Sequence, residues 1–128
     1  MDVQRLNPPS LPTPPAAYTQ VVRKGLLVTT SGMVSQDSSG KVVGEGDVRT
    51  QTRQVLENIK SALESVGASL EDVVKTTIFL SDMIHYQGMN AVFNEYFEKH
   101  RPARATVQAG LVLPSLLVEI EAIAILDG

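Results

Sequence analysis

Cysteine is absent from the 128 residues of this chain. Without a thiol there can be no disulfide framework, no thiolate nucleophile and no zinc or iron–sulfur centre held by cysteine. The absence fits a reducing compartment, and residues 1–15 lack the basic and apolar segments of a secretory signal. No apolar stretch approaches the roughly 18 to 20 residues of a membrane span. We therefore expect a cytoplasmic protein without a membrane partner.

Aromatic residues and excess positive charge are also scarce. The chain has no Trp, three Tyr and three Phe, and its formal net charge is -3. Proteins that bind nucleic acid usually carry a basic surface for the phosphates, and those that bind single strands add aromatic stacking platforms. The composition therefore predicts no nucleic-acid partner. The length fits one domain with a single core.

Residue types that hold metals or phosphates are not grouped in a typical pattern. The two histidines, His85 and His100, form neither an HxxxH nor an HxH pair, so we expect no metal site. His100 is better explained as a surface residue that complements a helix dipole. No glycine-rich phosphate loop occurs, and Ser31-Gly32 does not form the GxSxG elbow of serine hydrolases.

Proline is concentrated at the start of the chain, where residues 8–15 contain five of the seven. Proline fixes φ and lacks a backbone donor, which favours an extended, polyproline-like segment and excludes a central strand. We predict an N-terminal arm at 1–15 and a single domain at 16–128. The arm is either a ligand of the type that SH3 domains bind or a packed or frayed terminus, and the sequence leaves both open.

The rest of the chain alternates between β-branched runs and apolar residues at helical spacing. Asp47 is a suitable N-cap for the first helix. Two helices with one apolar face each predict an α+β fold in which both cover the same side of a sheet, so that the other side needs a cover from self-association. The predicted elements are a hairpin of strands 18–22 and 26–32, a short strand near 41–43, a helix from 47 to 67, a strand at 73–80, a helix at about 84–99, and strands at 103–108 and 116–126.

Two glutamates interrupt the last and most apolar strand. Glu119 and Glu121 share one face, whereas the apolar residues at 118, 120, 122 and 124 share the other. Buried carboxylates are costly unless they are paired. The glutamates could lie at an exposed edge or form a structural ion pair with Arg104. Alternatively, Arg104 binds a substrate carboxylate while a glutamate positions or deprotonates water.

Four segments together resemble the Rid, or YjgF-type, family of reactive-intermediate deaminases. In chain order they are Ser31-Gly32, Asn90, Pro102-Ala103-Arg104 and the stretch VEIEAIA at 118–124. The resemblance runs from about residue 18 to residue 125. It implies a chorismate-mutase-like mixed sheet with two helices on one face, assembled as a homotrimer with an active site between neighbouring subunits.

The resemblance also implies roles for individual residues. Arg104 and Glu119 would be catalytic, the first binding the substrate carboxylate and the second orienting the hydrolytic water. No cofactor would be needed. Thr106 stands where the best-known deaminases have Cys, and Met33 and Ala17 also depart from the common pattern. The residues expected to bind substrate are Tyr18, Ser31, Gly32, Asn90 and Thr106.

The implied activity is the hydrolysis of 2-enamine or 2-imine carboxylates, such as 2-aminoacrylate and 2-aminocrotonate, to 2-keto acids and ammonia. The implied partner is a small substrate that carries a carboxylate. Two alternatives remain open at this point. One is a pathway-specific deaminase, for example of 2-aminomuconate, and the other is a small-ligand-binding module without turnover.

Overall fold

A computed structural model describes residues 2–128 of the chain. Two short 3₁₀ turns, Leu70–Asp72 and Met83–His85, lie between its longer elements. In chain order these are β1 (Val3–Leu6), β2 (Val21–Lys24), β3 (Leu27–Thr30), β4 (Met33–Val34), α1 (Val48–Ser65), β5 (Val73–Leu80), α2 (Tyr86–Phe97), β6 (Ala103–Gln108) and β7 (Val118–Ile125).

The strands form one mixed sheet in the order β1-β2-β3-β7-β5-β6, and the short β4 pairs with β7 beyond the end of β3. Only β5 and β6 are parallel among these pairs. Parallel neighbours need a crossover connection, which α2 provides. Helices α1 and α2 pack against each other, and α1 packs against β7. The predicted α+β fold with a mixed sheet and two helices is confirmed.

Helix α1 begins as the sequence predicts. The Oδ1 atom of Asp47 accepts hydrogen bonds from the backbone N–H groups of Arg49 and Thr50 at 3.0 and 3.2 Å, which satisfies two donors that a helix start leaves free. The helix ends before Gly67, whose φ of 84° suits glycine. Its predicted apolar face is buried in the core: Val55, Ile59, Ala62, Leu63 and Val66.

Strand β7 has the two-sided character that its sequence predicts. Its residues Val118, Ile120, Ala122 and Ala124 are at most 2% exposed and belong to the core under the helices. On the other side Glu119, Glu121 and Ile123 are half-buried, and Ile125 is 50% exposed. We call this second side the open face, because no element among residues 2–128 packs over it as the helices do over the first.

The N-terminal arm differs from an isolated polyproline segment. Its first residues form the edge strand β1, in which Leu6 pairs with Val21 of β2. This strand was not predicted from the sequence, since four residues before a proline cluster give little periodicity. Further along, Leu11 is 4% exposed in the core, and the carbonyl of Pro12 accepts a hydrogen bond from Gln20 at 2.9 Å. Among the alternatives for the arm, the structure shows a packed terminus.

Three other expectations were wrong in detail. Both strands of the hairpin are shorter than predicted, and the turn comes later, because Gly25 and Leu26 join β2 to β3 and the φ of 61° at Gly25 permits a tight turn there. The short strand expected near 41–43 is replaced by a single bridge between Gln36 and Val42. The second helix also begins later than predicted, because Asp82 caps the 3₁₀ turn that precedes it.

Candidate active site

The two predicted catalytic residues lie on opposite faces of the sheet. Arg104 of β6 pairs in register with Thr76 of β5, which is fully buried on the helix side. Glu119 of β7 pairs with Phe79, which is an odd number of positions from Thr76 and points to the open face. Side chains alternate between faces along a strand, so a single chain cannot bring Arg104 and Glu119 together.

This arrangement corrects both structural explanations for the glutamates. The ion pairs among residues 2–128 join Arg53 to Glu95, His100 to Glu71, and Arg101 to Glu98, so the proposed pair of Arg104 with a glutamate of β7 is wrong. The edge explanation is also wrong, because β7 has neighbours on both sides within the sheet. Neither glutamate is therefore explained by a role in holding the single chain together.

The first group of predicted site residues surrounds a cavity of about 1090 Å³ on the open face. Tyr18, Ser31, Gly32 and Glu119 all line it. The chain before β2, the link between β3 and β4, and the loop before β7 form its walls, and the loop contributes the exposed side chain of Val112. We call this group the open-face half-site.

The electrostatics of the open-face half-site centre on Glu119. Partial burial raises the pKa of its carboxyl, and the nearby negative charge of Glu121 raises the pKa further. Gly32 lies so close that an added Cβ would be 2.3 Å from Oε2 of Glu119, so a larger residue here would displace the Glu119 carboxyl from its present position. A carboxylate with a raised pKa exchanges protons with water more readily near neutral pH, as a general base must.

Ser31 is held by a residue that the sequence analysis missed. Its hydroxyl donates to Oε1 of Gln20 at 2.6 Å, and its backbone N–H donates to the Gln20 carbonyl at 2.9 Å. Gln20 is only 6% exposed, and its own backbone N–H donates to Oδ1 of Asn7. In the sequence it resembles any polar residue at the start of a strand, so no local signal marks this role.

The second group, which we call the helix-face half-site, surrounds Arg104 between β6 and α2. The Nη2 atom of Arg104 donates to the Tyr86 hydroxyl at 2.9 Å. The guanidinium carbon lies 4.9 Å from the ring centre of Phe93 and 5.6 Å from that of Tyr86, within the range of cation–π attraction. Oδ1 of Asn90 and Oγ1 of Thr106 are buried and have no hydrogen-bond partner within residues 2–128. Such atoms are costly to leave unsatisfied and are suited to a polar ligand.

Tyr86 is the second residue that sequence reasoning missed. The sequence predicts a helix at about 84–99, so Tyr86 lies near its predicted start, where no pattern gives it a role. The spacing of Tyr86, Asn90 and Phe93 at intervals of four and three places them on one face, which is the available signal. The amide of Asn90 and the positive charge of Arg104 lower the pKa of the Tyr86 phenol below its ordinary value.

Among residues 2–128, no cluster of three or more His, Asp or Glu side chains is arranged to hold a metal ion. Within the same part of the chain, no helix is both long and apolar enough to cross a membrane.

Comparison with known proteins agrees with the resemblance. A family model described as Endoribonuclease L-PSP matches residues 9–126. The solved structure of YyfA from Yersinia pestis, a protein of the conserved Rid family, superposes with a TM-score of 0.90 at 31% identity and covers 98% of this chain and 100% of its own. This chain belongs to the Rid family.

Two further Rid relatives carry names or ligands that bear on chemistry. The 3-aminoacrylate deaminase RutC of Acinetobacter baylyi is 44% identical over 124 residues, which is 97% of this chain and 98% of that protein. The structure of Escherichia coli TdcF with bound serine has a TM-score of 0.88 at 30% identity and covers 97% of this chain and 99% of its own.

Proposed function

We propose that this protein is a deaminase that hydrolyses 2-enamine or 2-imine carboxylates to 2-keto acids and ammonia. The observation that carries the proposal is the pair of half-sites. One presents a guanidinium that pairs with no carboxylate of residues 2–128, beside buried oxygen atoms that have no hydrogen-bond partner in the same part of the chain. The other presents a carboxyl of raised pKa in a large cavity. The RutC relative, named a deaminase and similar over nearly its whole length, supports the reaction class.

Because the half-sites lie on opposite faces, we propose that they meet between subunits of a homotrimer. One chain would supply Arg104, Asn90 and Thr106, and its neighbour would supply Glu119 with the rest of the open-face half-site. The open face exposes large apolar side chains, with Leu27, Val107 and Ile125 at 42 to 50%. Association would bury these side chains, as is usual for apolar surfaces of this kind.

In this proposal the helix-face half-site binds the substrate. The guanidinium of Arg104 offers a planar set of N–H donors that matches a carboxylate, and one of its Nη2 donors is already used by Tyr86. Oδ1 of Asn90 accepts a hydrogen bond from the substrate nitrogen, and the Thr106 hydroxyl can donate or accept one. The positioned substrate then presents its imine carbon to the neighbouring subunit.

The open-face half-site carries out the hydrolysis. The enamine first becomes an imine when its terminal carbon takes a proton and the nitrogen releases one. Glu119 accepts a proton from water as the water oxygen bonds to the imine carbon, and passes it to the imine nitrogen, which yields a carbinolamine. The proton of the new hydroxyl is then transferred to the nitrogen as the C–N bond breaks and the C=O bond forms, so ammonia leaves and the keto acid remains. Holding water and imine together replaces a bimolecular encounter, which can supply much of the acceleration.

The relative from Acinetobacter baylyi favours a second candidate within the same chemistry. 3-Aminoacrylate carries its nitrogen one carbon further from the carboxylate than 2-aminoacrylate does. Its hydrolysis also needs a guanidinium that binds the carboxylate and a water activated by Glu119. Larger enamine carboxylates such as 2-aminomuconate present the same two groups, a carboxylate for Arg104 and a nitrogen for Asn90, and therefore belong to the same chemistry. Relative kcat/KM values for these acids distinguish the candidates.

The central experiment replaces Glu119 by Gln, with Glu121→Gln as the matched control on the same face. A 2-imino acid is generated in situ by an amino-acid oxidase, and its hydrolysis is followed with and without the protein. We expect wild type to accelerate hydrolysis and Glu119→Gln to lose about 100-fold or more, as is typical for a general base. Glu121→Gln should lose far less. If wild type binds keto acids without accelerating hydrolysis, the protein is a binding module.

A further inference from the structure

We propose that Tyr86 is a positioning residue that orients the Arg104 guanidinium for carboxylate binding. The proposal rests on the proposed function, because it concerns the same helix-face half-site. Arg104 has many rotamers, and a guanidinium binds a carboxylate through two N–H groups only when its plane is correctly set. The structure shows which side chain sets that plane.

Aromatic rings on α2 hold the guanidinium in place. Its carbon lies 4.9 Å from the Phe93 ring centre and 5.6 Å from the Tyr86 ring centre. Both rings belong to one helix face, since Tyr86 and Phe93 are seven residues apart. Tyr86 also packs against the hydrophobic core, so its ring is itself fixed. The rings restrict the position of the guanidinium, but ring contacts alone do not select its rotation.

The Tyr86 hydroxyl selects the rotation of the Arg104 guanidinium, which the ring contacts alone do not. It accepts a hydrogen bond from Nη2 of Arg104 at 2.9 Å. Of the five guanidinium N–H groups, this bond occupies one on Nη2 and leaves the others for a ligand. No carboxylate among residues 2–128 lies within ion-pair distance of Arg104, so the phenol supplies orientation without cancelling the charge. The affinity of Arg104 for a substrate carboxylate then depends on the hydroxyl oxygen of Tyr86.

The same contact predicts a distinct pH dependence. The charged group that faces the phenol is Arg104 of β6, while α2 itself contributes the neutral Asn90 amide. Both lower the pKa of Tyr86. Once ionised, the phenolate would pair with Arg104 and repel the substrate carboxylate. KM should therefore rise at alkaline pH in wild type, and a chain without this hydroxyl should lack that rise.

The test compares Tyr86→Phe with Tyr96→Phe. Tyr96 lies on the same helix and donates to Glu57 at 2.7 Å, so its variant also loses one tyrosine hydrogen bond but away from Arg104. Steady-state kinetics with an oxidase-generated 2-imino acid are measured across pH, and 2-oxobutyrate binding is measured by calorimetry. We expect Tyr86→Phe to raise KM and Kd about tenfold with little change in kcat, and to remove the alkaline rise in KM. Tyr96→Phe should do neither.

The outcomes separate this proposal from the proposed function. If wild type turns over the imino acid and Tyr86→Phe leaves KM, Kd and the pH profile unchanged, the positioning role is wrong and the deaminase stands. If wild type shows no turnover but Tyr86→Phe weakens 2-oxobutyrate binding, the deaminase is wrong and the positioning role stands. Absence of both turnover and binding in wild type would overturn both.

Discussion

The two faces of the sheet in this protein are made from the same strands but have different partners. Under the helices, β7 presents Val118, Ile120 and Ala124, none of which is measurably exposed. On the open face, the same strand presents Glu119 and Glu121 beside Ile125, half of which is exposed. Along β7 the helix-covered side is completed by one chain, whereas the open face carries carboxyl groups and apolar surface that one chain leaves uncovered.

Fold and candidate site therefore have separate requirements in this molecule. The core residues of the helix-covered face need only one another, so their substitution should change the stability of every chain. The polar residues of the two half-sites, including Arg104 on the edge strand β6, and those of the exposed apolar surface lie outside that core, so their substitution should change activity or association while the fold persists. Each experiment below tests one side of that division.

The largest effect is expected for Ile120→Ala, compared with Ile125→Ala on the same strand. Ile120 is fully buried, and its truncation leaves a cavity that costs about 2 to 5 kcal/mol of unfolding free energy. Ile125→Ala removes apolar surface that is already half exposed, so it should weaken association more than folding. Melting temperatures at two protein concentrations, with light scattering, distinguish these effects. Equal destabilisation by both variants would contradict the division between faces.

A smaller but clear effect is expected for Arg104→Lys, with Arg101→Lys as its control. Lysine keeps the charge but lacks the planar fork, so kcat/KM for a 2-imino acid should fall about 100-fold, or roughly 2.7 kcal/mol. Arg101 is exposed and pairs with Glu98 at 2.8 Å, which is a surface contact of little energetic consequence. Its variant should keep nearly full activity. Comparable kinetics for Arg104→Lys and wild type would exclude the proposed binding of the substrate carboxylate by the planar guanidinium of Arg104.

The smallest effect concerns stability against pH in Glu119→Gln. Burial and Glu121 raise the folded pKa of Glu119 above its ordinary value of 4.5, so the folded state binds the proton more tightly than the unfolded state. Stability from this group is present below pH 4.5 and is lost as pH rises through the raised pKa. Since the carboxyl is half exposed, we expect Glu119→Gln to be more stable than wild type at pH 7 by less than about 1 kcal/mol. Melts should show the difference vanishing towards pH 4.

Much of the fold could be predicted from local signals. Asp47 and the apolar spacing after it define α1, and the alternation along β7 separates its two faces, because each signal depends only on neighbouring residues. Strand β1 could not be predicted, since Val3–Leu6 acquires its structure by pairing with β2. Its existence depends on a distant strand and not on its own composition.

The residues of the candidate site could be proposed from the sequence, but their arrangement could not. The sequence suggested that Arg104 binds the substrate carboxylate and that Glu119 acts on water. It could not place the two residues on opposite faces of the sheet. That placement follows from the register in which β6 pairs with β5. If β6 were displaced by one residue along β5, every side chain of β6 would lie on the other face of the sheet. Tyr86 was missed for a related reason, because its contact with Arg104 joins α2 to a strand that follows it.

Complementation between two inactive variants tests the central claim most directly. Glu119→Gln chains keep Arg104, and Arg104→Lys chains keep Glu119, so each pure oligomer should be nearly inactive. When the two are mixed in equal amounts, unfolded and refolded together, sites formed between chains should recover about a quarter of wild-type activity, since each half-site is intact in half of the chains. Refolding each variant alone gives the baseline. Activity of the mixture equal to that baseline would show that Arg104 and Glu119 do not act across a subunit interface.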